Sequence, residues 1–196
     1  MEKQEYTLTI YTENQIGIIS KIAILFSRRK INIESFSASP SEAHGIFRFT
    51  ILVHESEEVV WKLCRQIEKQ VDILKAYYNT DDEIIWQEQA LFKVPTEEIA
   101  EKARVERLLR KHGAQTVVIR NDYTVFETSG HSEEIDGLIE VLTEYGLIEF
   151  VRSGRIAIIK DSAGFHKKLK EFEADEPIED LIENEYLNKR DKVFTM

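Results

Sequence analysis

The chain lacks the features that mark several large classes of protein. Its single cysteine, Cys64, excludes an internal disulfide and suits a reducing cytosol. No apolar run approaches the roughly 20 residues of a membrane-spanning helix, and the first residues lack the basic-then-apolar order of a signal peptide. Basic residues number 26 against 36 acidic ones, so the net charge of −10 argues against nucleic-acid binding. We expect a soluble cytoplasmic protein without nucleic-acid or membrane partners.

Motifs for common enzyme chemistry are also missing. The chain contains no GxGxxG, GxxxxGK[ST] or GxSxG pattern, and its five histidines show neither HxH nor HxxxH spacing. Acidic pairs such as Glu57 and Glu58 lie where a helix is expected to begin, and acids there complement the helix dipole. Cys64 falls on the apolar face of a predicted helix, where a thiol usually packs rather than reacts. The sequence predicts neither a catalytic centre nor a local metal site.

Hydrophobic periodicity over the 196 residues predicts two domains and an extension. Strand-like and helix-like patterns follow one another in the order βαββαβ over residues 1–80, and the same order occurs again over 88–160. A short acidic linker, 81–87, is expected between them. We therefore predict the α+β class, with two domains of one topology.

The individual elements can be assigned from alternation, helical spacing and turn residues. In the first domain we expect helices beginning after Gly17 and at the N-cap Ser56, and strands over residues 6–11, 31–37, 47–53 and 71–78. In the second we expect helices over residues 96–113 and 132–146, with Ser132 as the N-cap of the latter, and strands over 90–94, 115–120, 123–128 and 147–159. A bulge or turn at Arg152-Ser153-Gly154 is expected to interrupt the last of these strands.

The remaining residues, 161–196, differ in composition from the rest. Between Glu171 and Glu185 there are eight acidic residues and no basic one, although apolar side chains such as Phe172 and Leu181 continue. Two interpretations remain open for this acidic extension. It is either a helical segment that packs weakly on its own subunit or an acidic arm for a partner protein.

The most informative stretch covers residues 12–40. A strand leads into the tight turn Glu13-Asn14-Gln15-Ile16-Gly17, and the helix that follows places its apolar residues on one face. Gly17 has no side chain at a point where backbone N–H groups are still unpaired. These groups and the helix dipole can hold a small anion such as the carboxylate of an amino acid. Gly17 could equally be a turn glycine with no other role.

Several segments of this stretch resemble the ACT domain of the regulatory small subunit of acetolactate synthase, also called acetohydroxyacid synthase. They are ENQIG at 13–17, LFSRR at 25–29, NIES at 32–35, and Pro40. In the second half, LFKV at 91–94, residues 130–132 and the Arg-Ser-Gly at 152–154 are similar to the C-terminal domain of that family. The resemblance covers residues 5–160, and the run FSRRKINIES is its most specific part.

The resemblance implies two ferredoxin-like domains, an N-terminal ACT domain and a second C-terminal one, in a non-catalytic subunit of branched-chain amino acid biosynthesis. It implies a homodimer whose ACT domains pair side by side and bind a branched-chain amino acid, with valine expected, at their interface. Bound effector would inhibit the catalytic large subunit, which this chain would otherwise activate. Thiamine diphosphate, Mg²⁺ and FAD are expected on that partner, and no cofactor on this chain.

The family's effector-binding residues can be carried over by position. Asn14 and Gly17 would hold the effector, helped by backbone N–H groups from Gln15 to Ile18, and Asn32 would reach it from the partner protomer. The full set of candidates is Asn14, Gln15, Ile16, Gly17, Ile18, Ser20, Asn32 and Ser39. Asn14 and Asn32 could also simply cap local backbone. Two positions depart from the family pattern: Lys30 replaces a frequent glycine, and Ser39 replaces a small apolar residue.

Two other functions fit the same patterns. One is a free-standing tandem amino-acid sensor that controls another protein or transcription. The other is a metal-dependent ferredoxin-like regulator, whose ligands would come together only by long-range assembly. Arg28, Arg29 and residues 37–41 are candidates for contact with a partner protein.

Overall fold

A computed structural model describes residues 2–100 and 103–161 of the chain. The expected acidic extension, beyond Asp161, lies outside the described residues. Residues up to Lys160 form one compact unit. This unit contains two antiparallel sheets with helices, in the α+β class that the sequence predicts.

The first sheet has the predicted βαββαβ order and the strand order β2-β3-β1-β4. Its elements are β1 (Gln4–Glu13), α1 (Ile18–Arg29), β2 (Ser35–Pro40), β3 (Ile46–Glu55), α2 (Glu57–Glu68) and β4 (Ile73–Asn79). β1 is central, because it pairs antiparallel with both β3 and β4. β2 is an edge strand that pairs with β3.

The core of this half joins one face of the sheet to the apolar faces of both helices. From the sheet come Tyr6, Leu8 and Ile10 of β1, which alternate with threonines on the opposite face. α1 buries Ile18, Ile22, Leu25 and Phe26, as its spacing predicts. α2 buries Cys64 among aliphatic residues, and this burial raises the pKa of the thiol to about 11, so it stays protonated at neutral pH.

The second sheet repeats this topology, with the strand order β6-β7-β5-β8. Its elements are β5 (Ile84–Pro95), α3 (Thr96–Ala100), α4 (Ala103–Lys111), β6 (Gln115–Ile119), β7 (Tyr123–Gly130), α5 (Ser132–Glu144), β8 (Glu149–Arg152) and β9 (Ile156–Ile159). β5 is the longest strand: β8 pairs with residues from Ala90 to Lys93, and β9 pairs with residues from Ile84 to Gln87. The predicted interruption after Arg152 separates β8 from β9.

Several predicted boundaries are wrong. The strand expected from residue 31 begins at Ser35, since Ile31 N–H still donates to the carbonyl of Phe26 at the end of α1. β4 begins at Ile73 rather than 71, after a turn in which Ile73 N–H donates to Gln70. β5 begins at Ile84, so residues 84–87, assigned to the linker, belong to the second sheet. The domain boundaries themselves stay predictions.

The predicted N-cap of the last helix is also wrong by one residue. The N-cap is His131, and its backbone N–H donates to the Glu134 carboxylate at 2.9 Å. Ser132 is the first residue of α5 and instead donates its hydroxyl to Glu88 at 3.0 Å. A glutamate three residues after the N-cap satisfies the same backbone group as a capping box does, so serine is not needed at the cap.

The segment between β8 and β9 lies against the face of the first sheet that is not covered by α1 and α2. A Cβ atom on Gly154 would come within 3.1 Å of the Phe36 carbonyl oxygen and 3.3 Å of the Ser37 Cβ. The next residue, Arg155, donates its backbone N–H to the Ser35 hydroxyl at 3.5 Å. Ser35 and Ser37 share one face of β2, so glycine at 154 allows the two halves to approach closely.

We expect Lys30→Gly to raise the free energy of unfolding by about 0.5–1 kcal/mol, because glycine adopts a left-handed backbone without steric cost. Lys30 ends α1 at φ 56° and ψ 35°, and its N–H donates to the carbonyls of Phe26 and Ser27. It is the one non-glycine residue with positive φ in the described part of the chain. Urea denaturation measures the change. An equal gain in Lys30→Ala would show that the lysine side chain, not the backbone, is the cause.

We expect Gly154→Ala to destabilise the chain by about 1–3 kcal/mol, because the added methyl group overpacks against the backbone of β2. Gly137→Ala is the matched control: Gly137 lies inside α5 with nothing within 4 Å of an added Cβ, so alanine should stabilise it by about 0.5–1 kcal/mol. Thermal or urea unfolding of both variants tests the pair. A neutral Gly154→Ala would contradict the close contact between the halves.

Candidate functional site

The turn between β1 and α1 is held by backbone hydrogen bonds and one left-handed residue. Asn14 N–H donates to the Gly45 carbonyl at 2.9 Å, and Gln15 N–H donates to the Glu13 carbonyl at 3.0 Å. Gly17 is the N-cap of α1 at φ 88°, and a Cβ there would meet nothing within 4 Å. The backbone conformation therefore requires glycine whether or not a ligand binds.

The backbone N–H groups of this turn divide into engaged and free donors. Gln15 donates within the turn, and Ile18 donates to the Gln15 carbonyl at 3.4 Å. No group among the described residues accepts from the N–H of Ile16 or Gly17, nor from the Ile19 and Ser20 N–H groups in the first turn of α1. The free donors are therefore the backbone N–H groups of Ile16, Gly17, Ile19 and Ser20. The predicted run from Gln15 to Ile18 contains two of these four.

The surface around the free donors is polar backbone next to exposed aliphatic side chains. Asn14, Gln15, Gly17 and Ser20 are exposed. The Ile16 side chain is fully exposed at 102%, and Ile19 is half exposed at 51%. Ile18 in contrast is buried in the core at 6% exposure, so only its backbone lies at this surface. Hydrogen-bond donors beside an uncovered apolar side chain suit a small anion with an aliphatic part.

Two candidates lie away from this turn within one chain. Asn32 follows the other end of α1, is exposed, and donates its side-chain amide to Glu34 at 2.8 Å. α1 has 12 residues and is therefore about 18 Å long, which separates Asn32 from Gly17. Ser39 lies on the edge strand β2, two strands from Tyr11 of β1 and so about 10 Å away. One chain brings together the candidates from Asn14 to Ser20 and leaves Asn32 and Ser39 apart.

Charge distinguishes α1 from α2, α3 and α5. α2, α3 and α5 each carry two glutamates in the first turn, and α1 carries no acid there. Acidic side chains neutralise the positive end of a helix dipole. The N-terminal end of α1 therefore keeps its positive potential for another anion.

Metal-ligand clusters and long apolar helices were looked for in residues 2–100 and 103–161. No group of three or more His, Cys, Asp and Glu side chains in them is placed to hold a metal ion. None of their helices is long and apolar enough to cross a membrane.

Sequence reasoning missed Arg155. Its side chain is 1% exposed and lies between the two halves of the chain. The available signal was a basic residue directly before the apolar run Ile156–Ile159. The Ser-Gly break before it hid that signal, because the break made a solvent-facing turn the natural interpretation.

Comparison with known proteins supports the resemblance. The family model described as an AHAS small subunit-like ACT domain matches residues 8–75, and the family model described as the small subunit of acetolactate synthase matches residues 87–161. The acetolactate synthase small subunit of Bacillus subtilis is 34% identical over 81% of this chain and 91% of its own length. A probable acetolactate synthase small subunit from Archaeoglobus fulgidus is 27% identical over 80% of this chain and 97% of its own length.

A solved structure agrees with the fold. The crystal structure of the acetolactate synthase small subunit from Thermotoga maritima superposes with a TM-score of 0.74 at 23% identity, over 82% of this chain and 99% of that one. Both halves of the chain thus match one family in the same order, and the similarity to the Bacillus subtilis protein extends through both. The chain belongs to the family of acetolactate synthase small subunits.

Proposed function

We propose that this chain is a non-catalytic regulatory subunit of acetolactate synthase. It activates the catalytic large subunit when no effector is bound and inhibits it when a branched-chain amino acid, with valine expected, binds between two ACT domains. Thiamine diphosphate, Mg²⁺ and FAD belong to the catalytic subunit. The observation that carries the proposal is the set of free N–H donors at the start of α1, next to the exposed Ile16.

The chemistry of this surface matches an aliphatic amino acid. Its carboxylate accepts hydrogen bonds from Ile16 and Gly17 N–H at the positive end of α1, whose first turn carries no acidic side chain. Its aliphatic side chain covers Ile16, which is otherwise fully exposed to water. Nothing in this arrangement is placed to react with the bound molecule, so binding is its only function.

A complete site needs a second chain. Asn32 lies about 18 Å from the turn along α1, too far to touch the same ligand. The outer edge of β2 carries no partner strand among the described residues, and a two-fold axis beside it would pair two copies into one sheet. Such an axis sets the two α1 helices antiparallel, with Asn32 of one chain near the turn of the other.

We expect a hybrid dimer of Gly17→Asp and Asn32→Ala chains to bind one valine. Each homodimer should bind poorly, because aspartate repels the carboxylate and alanine removes a charge-assisted hydrogen bond, a loss of about 10- to 100-fold in affinity. In the hybrid, one site takes the intact turn from one chain and the intact Asn32 from the other. Calorimetry on hybrids purified with two tags should give half the stoichiometry of the unmodified dimer.

Gly113→Asp is the matched control for this experiment. Gly113 also has a positive φ, 65°, and nothing within 4 Å of an added Cβ, but it lies in the second half after α4. The Gly113→Asp chain should bind valine normally, because its backbone strain lies outside the turn. A hybrid without binding would refute a site shared between chains, and a loss of binding in Gly113→Asp would attribute the effect to backbone strain.

Reconstitution with the catalytic subunit tests the regulatory role. We expect the chain to raise acetolactate formation several-fold in the absence of effector, and valine, leucine or isoleucine to reverse this increase, with the strongest of the three identifying the effector. Gly17→Asp should still activate but should no longer respond. If the unmodified chain binds valine yet leaves the activity unchanged, it acts as a free-standing amino-acid sensor for another protein.

A further inference from the structure

A buried arginine of the second half is held by residues of the first half. Arg155, between β8 and β9, is 1% exposed. Its guanidinium donates to the Asp81 carboxylate at 2.7 Å, the Glu5 carboxylate at 2.9 Å and the Thr7 hydroxyl at 3.1 Å. Its Cζ lies 3.5 Å from the centroid of the Trp86 ring. A buried charge requires such compensation, so these partners fix where the segment after β8 sits on the first sheet.

A second arginine, from the first half, contacts the second half. Arg48 of β3, in the first sheet, donates a guanidinium N–H to the carbonyl of Ala157 in β9. The same guanidinium lies 5.8 Å from the centroid of the Tyr11 ring on the neighbouring strand β1. Each half thus contributes one arginine to the other, and we call Arg48 and Arg155 the arginine pair.

The arginine pair connects the central strands of the two sheets. β1 carries Glu5 and Thr7, whose side-chain oxygens accept hydrogen bonds from Arg155. The strand ends at Glu13, and the turn between β1 and α1 follows it. On the other side, Ala157 pairs in register with Trp86 of β5, the strand to which β7, β8 and β9 are hydrogen-bonded. A displacement of β1 at the turn therefore moves the acceptors of Arg155. Through Arg155 and Arg48 it also acts on β9 and on β5, the central strand of the second sheet.

We propose that the arginine pair transmits occupancy of the turn after β1 to the second half of the chain. The inference rests on the proposed function for the identity of the effector, valine. Arg48 and Arg155 are positioning residues: neither belongs to the turn over residues 14–17, and they act through β1 and β9.

The test uses the full chain and four variants, studied by hydrogen exchange and calorimetry. In Arg155→Met and in Arg48→Met, valine affinity should stay within about twofold of the unmodified chain, because the turn is intact. The valine-induced slowing of exchange over residues 84–87 and 156–159 should be lost. Arg152→Met is the matched control, because Arg152 pairs with Glu88 and Asp136, both in the second half. It should keep the response.

A readout without ligand separates this inference from the proposed function. In the ligand-free chain, exchange over residues 156–159 should be at least tenfold faster in Arg155→Met and Arg48→Met than in Arg152→Met. Arg155→Lys keeps the charge but not the planar guanidinium. Its exchange rate over residues 156–159 should lie between those of Arg155→Met and the unmodified chain. This variant keeps the test valid if Arg155→Met fails to fold.

The possible outcomes are distinct. A normal valine response in Arg155→Met and Arg48→Met, or no response over residues 84–87 in an unmodified chain that binds valine, overturns the inference. Loss of the response in Arg152→Met also overturns it, since any lost ion pair would then have the same effect. If the unmodified chain binds no branched-chain amino acid, the proposed function fails, and transmission from that site falls with it. The ligand-free comparison then still shows whether the arginine pair joins the halves.

Discussion

The position of α1 depends on one backbone constraint, the left-handed conformation of Gly17. β1 is the central strand of the first sheet, and the chain must reverse within four residues to place α1 against the same sheet face. At φ 88° the reversal is possible only with a residue that tolerates this region. Ile18 then enters the core directly, so the first turn of the helix stays at the surface with its N–H groups uncovered. The same constraint thus packs the helix and creates the proposed site.

Regulation places a second requirement on this surface. An effector changes activity only if it binds one arrangement of the protein more tightly than another, and typical coupling free energies are about 1–3 kcal/mol. A site shared by two chains meets this requirement, because the distance between the turn of one chain and Asn32 of the other depends on how the chains are arranged. A site contained in one rigid turn would bind both arrangements equally and would shift nothing.

The sequence predicted what depends on local pattern. The buried face of α1 follows from helical spacing, and the repeated βαββαβ order follows from alternation and turn residues, so the fold class was correct. The late start of β2 was not predictable, because it depends on Lys30 taking a left-handed conformation that its residue type does not favour. The turn from Asn14 to Gly17 was found because its residues are adjacent in the sequence. Its proposed relation to Asn32 involves a second chain, which no pattern within one sequence reveals.

Arg155 shows the limit of sequence reasoning most clearly. Its acceptors Asp81, Thr7 and Glu5 lie 74, 148 and 150 residues away, so no local spacing connects them. Removing the partners of a buried, hydrogen-bonded charge leaves it uncompensated, so the segment after β8 keeps its place on the first sheet only while these acceptors stay within reach. β1 carries two of the three acceptors. A displacement of β1 therefore changes the hydrogen bonding of Arg155 without any change in the fold of either half.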